Sequence, residues 1–172
     1  MKYLAILFSL MFAMSAPALT ETVAEPEEAV TAPELVDTAG VVLEITEDSI
    51  TIDTATNGQV LVHLTDETVW EGETPVAGAY VHILNNGAMT MSIPPQITAL
   101  RVGCYAFSGT VTEIADEYFM LTAEGTVYQV NAEADKLASL TLEQAVTVYS
   151  NGMMTMSIPA QIYGELIVAA EQ

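Results

Sequence analysis

Ten of the twelve residues from Asn86 to Ile97, NGAMTMSIPPQI, recur in NGMMTMSIPAQI from Asn151 to Ile162, so this chain is an internal duplication. A repeat of this kind restricts the fold to two copies of one structural unit. The likeness runs beyond the shared string, since Gly40, Glu44 and Ile45 of GVVLEI match Gly109, Glu113 and Ile114 of GTVTEI, and Gly58 matches Gly125. The spacing between copies shrinks from 69 residues at the first of these matches to 65 at the shared string. Connecting segments absorb such deletions, whereas paired strands do not. The copies are placed at 39–103 and 107–169.

Inside the copies the pattern is that of short strands. GVVLEI, SITID and QVLVHL in the first copy, and GTVTEI, YFMLT and TVYQV in the second, alternate with a period of two and favour β-branched and aromatic residues. Turn-forming residues separate them, and no long amphipathic helix intervenes. The expectation is an all-β chain of two tandem small β-barrels of the OB or SH3 type, with one helical turn at Thr141–Ala145. A barrel of roughly 60 residues buries too little surface to be very stable alone, so the copies are expected to support each other.

The shared string predicts a hairpin. Asn86-Gly87 and Asn151-Gly152 follow the apolar runs YVHIL and AVTVY and suit a two-residue type I′ turn. That register sets Leu84 opposite Met89, His82 opposite Met91 and Tyr80 opposite Ile93, with Val81 and Ile83 on the barrel side. In the second copy Val146 and Val148 take the barrel side. Pro94 and Pro159 end the pairing because proline has no amide hydrogen to donate. Ser92, Gln96, Ser157 and Gln161 complete the repeated motif.

Ahead of the repeats, Lys2, the apolar run LAILFSLMFAM and Ala16-Pro17-Ala18 read as a secretory signal peptide over residues 1–18. The run is short for a span of about 20 residues, and no second one follows, so no membrane span is expected after its removal. Residues 19–38, rich in Glu, Ala, Thr and Pro, read as a flexible acidic linker. The expected address is extracytoplasmic.

Charge excludes one class of partner. The chain has three Lys and Arg residues against 23 Asp and Glu, a formal net charge of −20. Nucleic-acid binding requires cations to neutralise phosphates, and beyond the signal only Arg101 and Lys136 remain. Anionic lipid surfaces are disfavoured on the same ground.

Candidate chemistry is sparse. Met89 and Met91, with His82, could offer Cu(I) two thioethers and an imidazole, and Met154 with Met156 repeats the pair. Thr147 replaces His82 in the second copy, however, and methionine in a strand commonly packs. Cys104, the single cysteine, with His63 or His82 and Arg101 could form a thiol acyl-transfer site, but RVGCY lacks the Thr-Leu-x-Thr-Cys pattern of such enzymes. Walker, zincin, dinucleotide and Gly-x-Ser-x-Gly motifs are absent. No catalytic residue and no cofactor is assigned. The reading is a non-enzymatic binding or structural module with a cell-envelope or extracellular partner, ahead of a Met-based copper protein and then a thiol enzyme.

NGAMTMSIPPQITAL, together with the preceding GVVLEITEDSITID, resembles a repeat of uncharacterised secreted or cell-wall proteins of anaerobic Gram-positive bacteria, found at times beside copper amine oxidase N-terminal-like domains. The resemblance spans Gly40 to about Val168, and the second copy departs from it with Ala160 in place of Pro95. It implies an extracytoplasmic β-domain and brings no established reaction.

Overall fold

The computed structural model describes residues 34–170; the signal peptide and most of the linker read from the sequence lie outside them. Each of the six segments expected as a strand forms one: they fall within β1 (Val36–Ile45), β2 (Ser49–Thr54), β3 (Gly58–His63), β7 (Arg101–Ile114), β8 (Tyr118–Ala123) and β9 (Thr126–Asn131), save that Leu64 of QVLVHL lies just past β3. Six further strands, β4 (Val69–Gly72), β5 (Tyr80–Asn85), β6 (Gln96–Thr98), β10 (Ala145–Ser150), β11 (Ala160–Tyr163) and β12 (Leu166–Ala169), join them in one connected sheet. The described residues are thus almost entirely β.

Pairing follows the same order twice, and in each copy the step from β6 to β7 or from β11 to β12 is made by the chain and not by a ladder. β1 pairs antiparallel with β2, and β2 with β3; β3 then pairs in parallel with β6, which leads through Ala99 and Leu100 into β7. Arg101, Val102 and Gly103 of β7 pair with β5, and β5 returns to β1. The second circuit repeats this order. The later part of β7 pairs with β8, β8 with β9, β9 in parallel with β11, and β12 with β10, which pairs with β7 from Tyr105 to Thr110. β7 therefore ends one circuit and begins the other as a single 14-residue strand. The boundary read from the sequence between 103 and 107 falls inside it.

The matched glycines have a structural cause. A Cβ on Gly40 would lie 2.4 Å from the Asp53 carbonyl oxygen, and one on Gly109 equally close to that of Thr122. Only glycine lets the first strand of each copy bend this tightly over the second. A register shift follows at the same place in both, between Val42 and Glu44 and between Val111 and Glu113, as expected where a strand coils.

Buried side chains form two clusters. One contains Ile50, Ile52, Val60, Val62, Val81, Ile83, Val102 and Cys104; the other contains Val111, Phe119, Leu121, Val130, Val146, Val148 and Ile162. Val81, Ile83, Val146 and Val148 face inward as the alternation predicted. Tyr149, of the second copy, packs against the first cluster.

Three expectations need correction. The linker was expected to extend to residue 38, but Val36, Asp37 and Thr38 already pair with Asn85, Leu84 and Ile83, because β5 offers them an open edge. The helical turn is α1 (Ala134–Leu137), in the segment where the first copy has β4, and Thr141–Gln144 instead forms a turn with Glu143 at φ 63°. The hairpin at Asn-Gly does not form. β5 ends at Asn85, and the next strand, β6, pairs with β3 rather than back onto β5.

Candidate binding loops and their recesses

The repeated motif builds a closed loop after β5 and again after β10. Two side-chain caps turn the chain out of each strand. The buried Asn85 accepts a hydrogen bond from the Gly87 amide at 2.8 Å, and Asn86 accepts one from the Ala88 amide at 3.1 Å. In the second copy the buried Ser150 and then Asn151 accept from the amides of Gly152 and Met153, at 3.2 and 2.9 Å. Gly87 and Gly152 adopt φ of 74° and 81°, while Asn86 and Asn151 do not turn positive. A type I′ turn needs positive φ at both central positions, so this backbone is not the expected hairpin turn.

Beyond the turn, hydroxyl groups hold the loop shut. Thr90 donates its amide to the Gln96 carbonyl at 3.0 Å, and the Gln96 amide donates to Thr90 Oγ1 at 2.9 Å. Ser92 gives its hydroxyl hydrogen to the Pro94 carbonyl at 2.7 Å, so in the 2.7 Å contact between Thr90 and Ser92 it is Thr90 that donates. Through the two hydroxyls the protons therefore run one way, from the Gln96 amide to Thr90, to Ser92 and to the Pro94 carbonyl. Thr155, Ser157, Pro159 and Gln161 reproduce the chain with distances of 2.7 to 3.0 Å. The peptide bonds before Pro94 and Pro159 are both cis.

Hydroxyls pointing inward leave the apolar side chains outside. Met91, Ile93, Met156 and Ile158 are each 99 to 103% exposed, and no side chain among the described residues shelters them. Met89, Met153 and Met154 sit lower on the loops and are also exposed, at 40, 71 and 47%. Neither twelve-residue motif contains a charged residue.

Beside each loop lies an open recess. The first, of about 260 Å³, is lined by His63, Asn86, Ala88, Met89, Thr90, Gln96, Ile97 and Thr98; the second, of about 280 Å³, by Asn131, Asn151, Met153, Met154, Thr155, Gln161, Ile162 and Tyr163. These walls correspond position by position. Asn, Met, Thr, Gln and Ile are retained, and His63, Ala88 and Thr98 are exchanged for Asn131, Met153 and Tyr163. His63 Nε2 lies 2.9 Å from Gln96 Oε1.

The copper candidates are not brought together. His82 faces a different and smaller cavity, beside Arg101, Tyr105 and Asn151, with its Nδ1 2.9 Å from Asp37 Oδ2; the histidine in Met89's recess is His63. Register is the reason: His82 lies on β5, whereas the methionines leave the sheet with the loop instead of folding back across it. Met154 and Met156 likewise belong to a loop, and Met156 points away from the protein. Among the described residues, no three His, Cys, Asp or Glu side chains are grouped to hold a metal.

The thiol candidates are separated as well. Alternation along β7 puts Arg101 and Gly103 on the side of the His82 cavity, while Cys104 turns into the first core and is 2% exposed. Burial, and secondarily the charge of Glu73, pushes its thiol above the ordinary range, away from the nucleophilic thiolate. Tyr105 bonds to Glu71 Oε2 at 2.5 Å, and Glu71 also accepts from Arg101 at 3.2 Å. Gly152 stacks on Tyr105, where a Cβ would lie 2.6 Å from the ring. The base of the second loop thus rests on a residue tied to β4 of the first copy.

Sequence reasoning placed the motif but missed the residues that shape it: Asn85 and Ser150, Thr90 and Thr155, and the exposed Ile93 and Ile158. Hydroxyls two apart, followed by proline, were the available signal.

No protein-family model matches the chain, and no curated protein matches it. Among solved structures it is similar to the crystal structure of Ag(I)CusF, with 16% identity over 41% of this chain and 96% of that one, at a TM-score of 0.30. It is also similar to Drosophila Unr CSD456, at 13% identity, 76% and 62% coverage and a TM-score of 0.24. A multidomain protein with nucleic acid binding domains from Streptococcus pneumoniae TIGR4 gives 14%, 79%, 45% and 0.25. The chain spans less than two thirds of these last two. Likenesses this slight bear no functional argument.

Proposed function

We propose that this protein is a non-enzymatic binding module of the cell envelope or its surroundings, composed of two small barrels that present their repeated loops to a partner. The observation that carries the reading is the twice-built display of Met and Ile. Each pair stands fully exposed on a frame whose hydroxyls are spent on internal hydrogen bonds. Scattered exposed apolar residues need no explanation, but the same two positions held out by the same bonds in both copies do. The sheltered Cys104 and the separation of its would-be partners argue against thiol catalysis. The signal-like amino terminus supports an extracytoplasmic address, and the acidic charge disfavours nucleic acid.

The test compares the chain with a variant carrying Met91→Ser, Ile93→Ser, Met156→Ser and Ile158→Ser. Both are immobilised and exposed to fractionated envelope material. The original chain is expected to retain envelope components that the variant loses, with both melting at the same temperature. Equal retention by the two would remove the loops from the binding surface.

A further inference from the structure

We infer that the partner of the two loop tips is a lipid bilayer whose headgroups are zwitterionic or uncharged, into whose interfacial layer Met91, Ile93, Met156 and Ile158 insert. The inference rests on the reading of the loops as the binding surface and names what they bind.

Shape is the first ground. The four side chains are fully exposed on convex tips, so the surface receiving them must either contain matching holes or yield. A bilayer yields. Hydrogen bonding is the second ground, because a segment entering lipid must satisfy its polar groups internally. Each loop does so for its hydroxyls and its base, through Thr90, Ser92 and Gln96 or Thr155, Ser157 and Gln161, and leaves only the tip amides, from Met91 to Ile93 and from Met156 to Ile158, to the hydrated headgroup layer. Pro94, Pro95 and Pro159 bring no amide hydrogen at all. A protein interface of ordinary kind carries about one hydrogen bond per 100–200 Å², and these hydroxyls are already engaged.

Charge is the third ground and selects the headgroup. A chain of net charge −20 keeps both motifs free of any charge, which removes the desolvation cost of burying them. The same net charge repels anionic lipid, and Arg101, the cation that shares a cavity with Asn151 at the base of the second loop, is paired with Glu71 at 3.2 Å. The chain direction is also compatible with joint insertion: β5 and β10 both run antiparallel to β7, so both loops leave their strands toward its amino end.

Flotation of the protein with phosphatidylcholine vesicles tests this. Binding is expected to neutral vesicles, to weaken as phosphatidylglycerol replaces phosphatidylcholine, and to fall by roughly tenfold or more when the tips of one loop become serine. Ile93→Cys bearing an environment-sensitive dye supplies a measurement independent of the serines, since Cys104 is buried; its emission should shift to the blue on adding neutral vesicles. Absence of vesicle binding, binding unchanged in the four-serine variant, or a dye that does not respond would each overturn the inference. If vesicles fail while tip-dependent retention of an envelope protein persists, the partner is a protein and the binding reading stands. Failure of both removes both.

Discussion

Val148 is fully buried in the second core, while Thr147 beside it reaches the outer face and shares a 2.9 Å hydrogen bond with Ser108. Val148→Asp forfeits about 1.5 to 3 kcal/mol of apolar burial before the cost of burying a carboxylate is counted, and is expected to unfold the second copy. Met89→Ser with Met91→Ser should leave the melting temperature nearly unchanged. Circular dichroism melts decide, and the reverse pattern would make the methionines core. Burial raises the Cys104 thiol, Tyr80 and Tyr149, and the Glu71 bond together with burial raises Tyr105. Each raised group binds its proton more tightly when folded. Their contribution is complete below the unfolded values of about 8.5 for Cys and 10 for Tyr, and is lost as pH climbs through the folded ones. Urea midpoints should therefore fall above about pH 8.5, and Cys104→Ala should remove the earliest part of that decline.

At the scale of elements, the six strands announced by alternation were legible because inward residues such as Ile50, Ile52, Val60 and Val62 repeat every second position and turn residues separate the runs. The loops were not. Asn-Gly after an apolar strand reads the same whether it closes a hairpin or opens an Asx turn, and what decides is a hydroxyl at Thr90 that bonds six residues ahead. Competition of this kind between side chains and the sheet ladder leaves no period in the sequence. Even the one mismatch within the motif's proline pair has an effect: with Pro95 the strand starts at Gln96, whereas with Ala160 it starts one residue earlier. The hydroxyl chain predicts its own failure. Thr90→Val keeps the shape but removes the acceptor of the Gln96 amide, which should cost about 0.5 to 1.5 kcal/mol per bond lost locally. Hydrogen exchange at Gln96 should accelerate with Gln161 unchanged, and equal protection at both would show that the hydroxyls do not hold the loop.

The whole molecule is joined where the sequence suggested a seam. The extent of the two matched copies put a boundary near residues 103–107, because a duplication looks the same in sequence whether its copies meet at a linker or share a strand. Here they share β7, which pairs with β4 and β5 through its first residues and with β8 and β10 through its later ones. Further contacts cross the junction: Tyr149 packs on the first core, and Gly152 lies on Tyr105, which bonds to Glu71. Each half buries a small share of its surface and depends on such neighbours. Chains 34–104 and 105–170, expressed separately, are therefore expected to melt well below the intact protein, and the second to lose more, since Tyr105 and Tyr149 both surrender their partners there. Tyr105→Ala in the intact chain should lower the melting temperature in the same direction by a smaller amount. Separate halves that each melt at the intact protein's temperature would show that β7 merely connects the copies, and that neither one stabilises the other.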